Sequence, residues 1–134
     1  MPPIPQTEKV LLCVDDEVTG LLVRKMLLES LGYRVLVAEN GPDALALFFA
    51  EKIDLVVLDY AMPEMNGGVV AERMKALKPA IPILMLSAYV DLPGPTLALV
   101  DKSVTKGEPP PVLIGAIAAL LQKTAAAADS MPAA

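Results

Sequence analysis

The ten residues Asp54-Leu55-Val56-Val57-Leu58-Asp59-Tyr60-Ala61-Met62-Pro63 restrict the fold more than any other stretch of the chain. An unbroken apolar run ends in an aspartate, and a proline closes the segment. A run of that length, rich in Val and Leu and bounded by a turn signal, fits a strand covered on both faces, as in a parallel sheet. Ligands of open α/β sheets bind beyond the carboxyl ends of the strands. Asp59 therefore stands where chemistry is expected.

The rest of the chain alternates in the same manner. Val10 to Val14 reads as a first strand, ending in Asp15-Asp16-Glu17. A helix from Val18 to Leu31 follows, with Gly32 as a left-handed cap. Its expected core stripe is Gly20, Val23, Leu27 and Leu31, which leaves Leu21, Leu22 and Met26 outside. Arg34 to Ala38 is a second strand. Asn40-Gly41-Pro42 opens a helix to about Glu51, burying Ala44, Leu45 and Phe48, because proline is tolerated in a first helical turn.

After the Asp54–Asp59 strand, Gly67-Gly68 admits a helix with Val70, Met74 and Leu77 inward, and Lys78-Pro79 closes it. Ile81 to Leu86 is a fourth strand ending at Ser87. Two prolines and a glycine in Asp91-Leu92-Pro93-Gly94-Pro95 leave room only for a short helix over Pro95 to Val100. Lys102 to Thr105 makes a fifth strand, and Pro109 to Lys123 a last helix with Leu113, Ile114, Ile117, Leu120 and Leu121 at helical spacing. Residues 1–7, with three prolines, are expected to be a flexible arm, and 125–134 a disordered alanine-rich tail. Strands alternating with helices predict an α/β fold, a doubly wound five-stranded parallel sheet with helices on both faces and a stunted fourth helix.

The totals narrow the function. A chain of 134 residues supports one domain, with no room for an output domain. A net charge of -5, without a dense Lys/Arg block, argues against direct binding of nucleic acid. No secretory leader pattern and no bilayer-length apolar run are found, so no membrane partner and a cytoplasmic location are expected. The chain has no His, which excludes imidazole catalysis. Cys13 lies within an apolar strand and is expected to be a buried filler rather than a reactive thiol.

Asp15 and Asp16 close the first strand, Asp59 the third and Ser87 the fourth, and Lys106 follows the fifth, so all five fall on one sheet edge. An acidic pair alone would more often cap a helix. Gathered with Asp59, these carboxylates repel one another unless a hard cation such as Mg2+ joins them. A hydroxyl and a lysine beside them suit phosphoryl oxygens, with Asp59 as nucleophile. Glu17 could join the metal set, but charge compensation at the helix start is the favoured reading.

Val14-Asp15-Asp16, Leu58-Asp59-Tyr60-Ala61-Met62-Pro63 with Asn66-Gly67, Leu86-Ser87-Ala88 and Thr105-Lys106 together resemble the receiver domain of two-component response regulators. The resemblance covers Lys9 to Lys123, within a domain spanning 8–124. It implies a flavodoxin-like sheet in the order 2-1-3-4-5 and a stand-alone response regulator. Such a protein would accept a phosphoryl group onto Asp59, with Mg2+, from a sensor histidine kinase or phosphotransfer protein. It would then switch binding to a downstream protein or relay the phosphate.

By the same resemblance Asp16 and Asp59 are direct metal ligands, Asp15 acts through water, and the Ala61 carbonyl completes the set. Ser87 and Lys106 contact the phosphoryl group, helped by the backbone N–H groups of Tyr60 and Ala88. The first helix would offer a kinase-docking face, with Leu21, Leu22 and Met26 on it, and these three residues fit ordinary scattered surface hydrophobes equally well. Ala61 and Tyr89 are poorly suited to orient an attacking water, so a long-lived phosphoryl group is expected. The chain departs from the family pattern at Gly107, where a proline commonly follows the lysine, and at Ser103, where many relatives carry an aromatic residue. Two other functions keep the fold: a receiver-like adaptor that is never phosphorylated, and an aspartyl-nucleophile phosphatase. The second lacks an acid at Ala61.

Overall fold

A computed structural model describes residues 8–88 and 91–130. Its strands are β1 (Val10–Val14), β2 (Arg34–Ala38), β3 (Leu55–Asp59), β4 (Ile83–Ser87) and β5 (Lys102–Thr105). Between and after them run α1 (Val18–Ser30), α2 (Gly41–Ala50), α3 (Gly67–Leu77), α4 (Gly94–Leu99) and α5 (Pro110–Ser130). All pairings are parallel and the order is β2-β1-β3-β4-β5. The doubly wound sheet expected from the sequence is present, including a fourth helix of only six residues.

Side chains alternate across a strand with a period of two, and the three central strands divide accordingly. Leu12, Val14, Val56, Leu58, Ile83 and Met85 enter the core under α2 and α3. Leu11, Cys13, Leu55, Val57, Leu84 and Leu86 enter the core under α1 and α5. Being apolar on both faces is what confines these strands to the interior. Burial raises the Cys13 thiol to about 12, which fits an inert core residue and not a nucleophile.

Local chemistry sets the helix ends. Asn40 Oδ1 accepts from the Asp43 N–H at 2.8 Å to start α2, and Asn66 Oδ1 accepts from the Val69 N–H at 3.1 Å to start α3. Gly32, with φ of 98°, supplies the left-handed turn after α1.

Three sequence expectations are corrected. On α1 the residues facing the sheet are Leu21 and Leu28, while Val23 is 61% exposed and Leu31 is also exposed. The inward stripe runs Leu21, Arg24, Leu28, so a charged residue occupies its middle, and a purely apolar pattern passes over it. On α3 Ala71 is buried and Leu77 is 49% exposed, because Leu77 sits in the last turn, where the helix leaves the sheet. The last helix continues to Ser130, beyond Lys123 and into the stretch expected to be a tail, because alanine has the highest helix propensity. Residues 1–7 and 131–134, the arm and the end of the tail, lie outside the described residues. No described helix is long and apolar enough to cross a membrane.

Candidate functional site: an acidic cluster bridged by a lysine

The carboxyl edge of the sheet collects the candidate residues. Asp59 is the last residue of β3 and Ser87 the last of β4, and both are buried. Asp15 follows β1, tied to the sheet by its N–H, which donates to the Ala38 carbonyl at 3.2 Å. Lys106 follows β5, and its N–H donates to the Ser87 carbonyl at 2.8 Å. Each of these four residues thus hangs on a strand end or on a main-chain bond to one.

Asp15 and Asp59 are only 1% and 2% exposed, whereas Asp16 faces solvent. Lys106 Nζ lies between the buried pair, 3.0 Å from Asp15 Oδ2 and 3.1 Å from Asp59 Oδ1. Asp15 Oδ1 accepts from the Glu17 N–H at 2.9 Å. That bond closes a turn into α1, whose cap residue, Glu17, makes no side-chain capping bond. The capping account of the acidic pair is thereby answered: Asp15 shapes the turn and also keeps one oxygen in the cluster.

One ammonium cannot satisfy two buried carboxylates equally. Burial pushes the Asp59 carboxyl up to about 6, and the neighbouring Asp15 charge adds to this against the pull of Lys106. Burial also opposes ionisation of Asp15, but the Glu17 N–H, Lys106 and Arg24 outweigh it and hold that carboxyl below the usual range. Burial disfavours the Lys106 charge as well, yet the two carboxylates prevail and its pKa is raised.

The proton balance makes a measurable prediction. A carboxyl whose folded-state pKa is raised stabilises the fold at low pH, and that contribution is lost as pH rises through the folded value. For Asp59 the loss falls between its ordinary value of 3.8 and about 6. Asp15 works oppositely and costs stability only as pH falls through and below its ordinary range. Metal-free protein is therefore expected to gain about 1 kcal/mol between pH 7 and pH 5 from Asp59 alone. Urea midpoints at the two pH values should show this gain in the parent and its loss in Asp59→Asn.

The loop after β3 is tightly built. Gly67 N–H donates to the Tyr60 carbonyl at 2.7 Å, and Met65 N–H donates to the Pro63 carbonyl at 2.7 Å. The second bond closes a γ-turn around Glu64, whose φ of 69° is costly for a side chain with a Cβ. Here the structure corrects one expectation. The Tyr60 N–H donates to the Leu86 carbonyl at 2.9 Å, within the sheet, so it is not the phosphoryl donor expected of it. Ala88 and Ala61 are exposed beside the cluster, and Tyr89 lies outside the described residues.

Carboxylate oxygens of Asp15, Asp16 and Asp59 lie within 4.8 Å of one another. Oxygen donors of this charge suit a hard divalent cation and not a soft one. One residue at the site was missed from the sequence. Arg24 Nη1 lies 3.5 Å from Asp15 Oδ2, the oxygen that Lys106 also contacts. An arginine in register with Leu21 and Leu28 was the signal, because a charge on a core-facing stripe calls for a buried partner.

Comparison with known proteins gives the same picture. Over 79 residues the chain is 43% identical to the transcriptional regulatory protein ZraR of Salmonella typhimurium, covering 59% of this chain and 18% of that one. The chain thus spans from about a tenth to half of the length of the curated relatives it matches. A CheY-like receiver domain protein from Methanospirillum hungatei superposes with a TM-score of 0.83 at 28% identity, covering 88% and 97% of the two chains. The response regulator TrrA of Thermotoga maritima, in complex with Mg(2+)-BeF, gives 0.78 at 34% identity, covering 84% and 98%. The same regulator also matches in a structure with the histidine kinase ThkA, covering 84% and 98% at 34% identity with a TM-score of 0.78. The family described as "Response regulator receiver domain" matches residues 11–107. That match runs from β1 to the turn after β5 and takes in every member of the acidic cluster and its lysine: the chain belongs to the response regulator receiver domains of two-component systems.

Proposed function

We propose that this receiver accepts a phosphoryl group on Asp59 from the phosphohistidine of a histidine kinase or phosphotransfer protein. The N–P bond of the donor breaks and an O–P bond to Asp59 forms. The observation that carries the reading is the lysine bridge between two buried carboxylates at the sheet edge. Nothing in the packing needs such an arrangement, and removing water from two like charges is costly unless the site has a use for them. The regulator TrrA, solved with Mg(2+)-BeF and with its kinase, supports it by likeness.

The three carboxylates fit Mg2+, with Asp16 and Asp59 as ligands, Asp15 through water and the Ala61 carbonyl as a further oxygen. When bound, the ion neutralises phosphoryl oxygens. Lys106 supplies a fixed positive charge to the accepted group, Ser87 a hydroxyl donor and Ala88 a backbone N–H. Ala61 offers no acid two residues after Asp59, which favours an acceptor over an enzyme with turnover. A phosphohistidine donor would place the chain in the cytoplasm.

The kinase would meet α1 next to the cluster. Val18, Leu22 and Met26 are exposed at spacings of four and lie on one helix face. Leu21, expected on that face from the sequence, is buried instead. Output is protein binding or phosphate relay, through a shift between two conformational populations.

Phosphotransfer profiling tests the reading. Label is expected to move from at least one autophosphorylated histidine kinase of the source organism to this chain and not to Asp59→Ala. Transfer from none of them, or equal transfer to the variant, would refute it. The phosphoryl group should also be long-lived, because the Ala61 methyl cannot orient a water. Ala61→Gln is expected to shorten its lifetime on the order of tenfold, as timed by phosphate release in Mg2+. An unchanged lifetime would remove Ala61 from the explanation.

A further inference from the structure

Arg24 is the one charged residue on the buried side of α1, and neither the packing nor the phosphoacceptor reading uses it. Its side chain is 14% exposed. A guanidinium placed so deep is costly without an anion, and the anion it meets is Asp15 Oδ2, at 3.5 Å. Lys106 Nζ is 3.0 Å from the same oxygen. Asp15 thus has two cationic neighbours, held by different elements, and Asp59 has one.

The two cations differ in their partners: Lys106 contacts both buried carboxylates, Arg24 only Asp15. Lys106 sits in the turn after β5, on a flexible stem, and also reaches Asp59 Oδ1 at 3.1 Å. Arg24 rises from the second turn of α1 beside a cavity of about 260 Å³ between α1, β5 and α5, which Leu27, Val104, Glu108 and Leu113 also line. Phosphorylation of Asp59 replaces a single carboxylate charge by a group carrying about -1.5 to -2. The ammonium then has a stronger partner than Asp15. With Lys106 drawn away, Asp15 keeps the Glu17 N–H on Oδ1 but loses the 3.0 Å donor on Oδ2. Arg24 is already in place at that oxygen.

Resting on the phosphoacceptor reading, we infer that Arg24 is a positioning residue: it holds Asp15 in orientation from beneath, so that Lys106 can leave Asp15 for the phosphoryl group on Asp59. It touches neither the phosphoryl group nor the reacting oxygen.

Two titrations separate this role from general support of the fold. Mg2+ is titrated calorimetrically into the metal-free protein, and beryllofluoride, a phosphoryl mimic, into the protein saturated with Mg2+. The proteins are the parent, Arg24→Met, Arg24→Lys and Asp59→Ala. In Arg24→Met, Mg2+ binding should change less than about threefold, because Lys106 still holds Asp15, while beryllofluoride binding weakens about tenfold or more, the loss of a charge-assisted contact. Arg24→Lys should recover most of that loss. A Mg2+ affinity that falls as far as the beryllofluoride affinity, or a beryllofluoride affinity that does not change, overturns the inference while leaving Asp59 as acceptor. A parent that does not bind beryllofluoride, or binds it no better than Asp59→Ala, overturns both. Urea midpoints of the variants confirm that each is folded at the temperature used.

Discussion

In metal-free buffer at neutral pH, Lys106→Met is expected to lose about 3 kcal/mol of stability and to unfold at a clearly lower urea concentration. The ammonium stands 3.0 Å from Asp15 and 3.1 Å from Asp59, and both carboxylates are buried. Removing it leaves the buried pair without its shared cation, so that Asp59 must take up a proton at neutral pH or face Asp15 as a like charge. The Lys106 side chain is itself 28% exposed, so solvent can reach the vacated space, and the loss stays short of that for a fully enclosed pair. Asp59→Asn in the same chain should recover part of the loss by removing one of the charges. A change below about 1 kcal/mol would mean that water, and not Lys106, holds the two carboxylates apart.

Gly67→Ala is expected to be as damaging for a different reason. A Cβ at that position would sit 2.5 Å from the Asp59 carbonyl oxygen, 2.8 Å from Tyr60 Cα and 2.9 Å from Met85 Sδ. Two of these atoms are backbone, so the chain must shift where Gly67 N–H now bonds the Tyr60 carbonyl at 2.7 Å. The expected loss is about 3 kcal/mol, with distortion of the loop that presents Asp59. Gly115, exposed in α5, is the control, since nothing lies within 4 Å of a Cβ there. Gly115→Ala should stabilise by about 0.5–1 kcal/mol through helix propensity. Thermal melts of both variants settle the comparison; a neutral Gly67→Ala would show that the loop yields without cost.

Much of this architecture was legible because its signals are local. Unbroken apolar runs mark β1, β3 and β4, and the acidic or hydroxyl residue that ends each of them marks the functional edge. Gly32, Pro42 and the proline-rich stretch before α4 punctuate the chain where their backbone preferences require. What escaped notice depends on contacts between distant elements. The inward face of α1 could not be found from apolar spacing, because Arg24 occupies its centre and its partner, Asp15, comes from β1. Leu77 has the spacing of a core residue, but it is the last residue of its helix, in a turn that faces solvent. The bond of the Tyr60 N–H to Leu86 follows from the β3–β4 register, which spacing along one strand does not reveal.

The same distinction holds within the site. Asp15, Asp59, Ser87 and Lys106 converge because each is fixed to a strand end. That Lys106 bridges Asp15 and Asp59, and that Asp16 faces outward, are consequences of turn geometry. Of the departures after Ser87, one is visible in the fold: α4 is a single helix of six residues.

The central claim is that Asp59 accepts the phosphoryl group, and intact mass measurement after incubation with acetyl phosphate and Mg2+ tests it most directly. One phosphoryl group is expected on the parent and none on Asp59→Ala. No added mass in the parent, or addition that survives in Asp59→Ala, would contradict it.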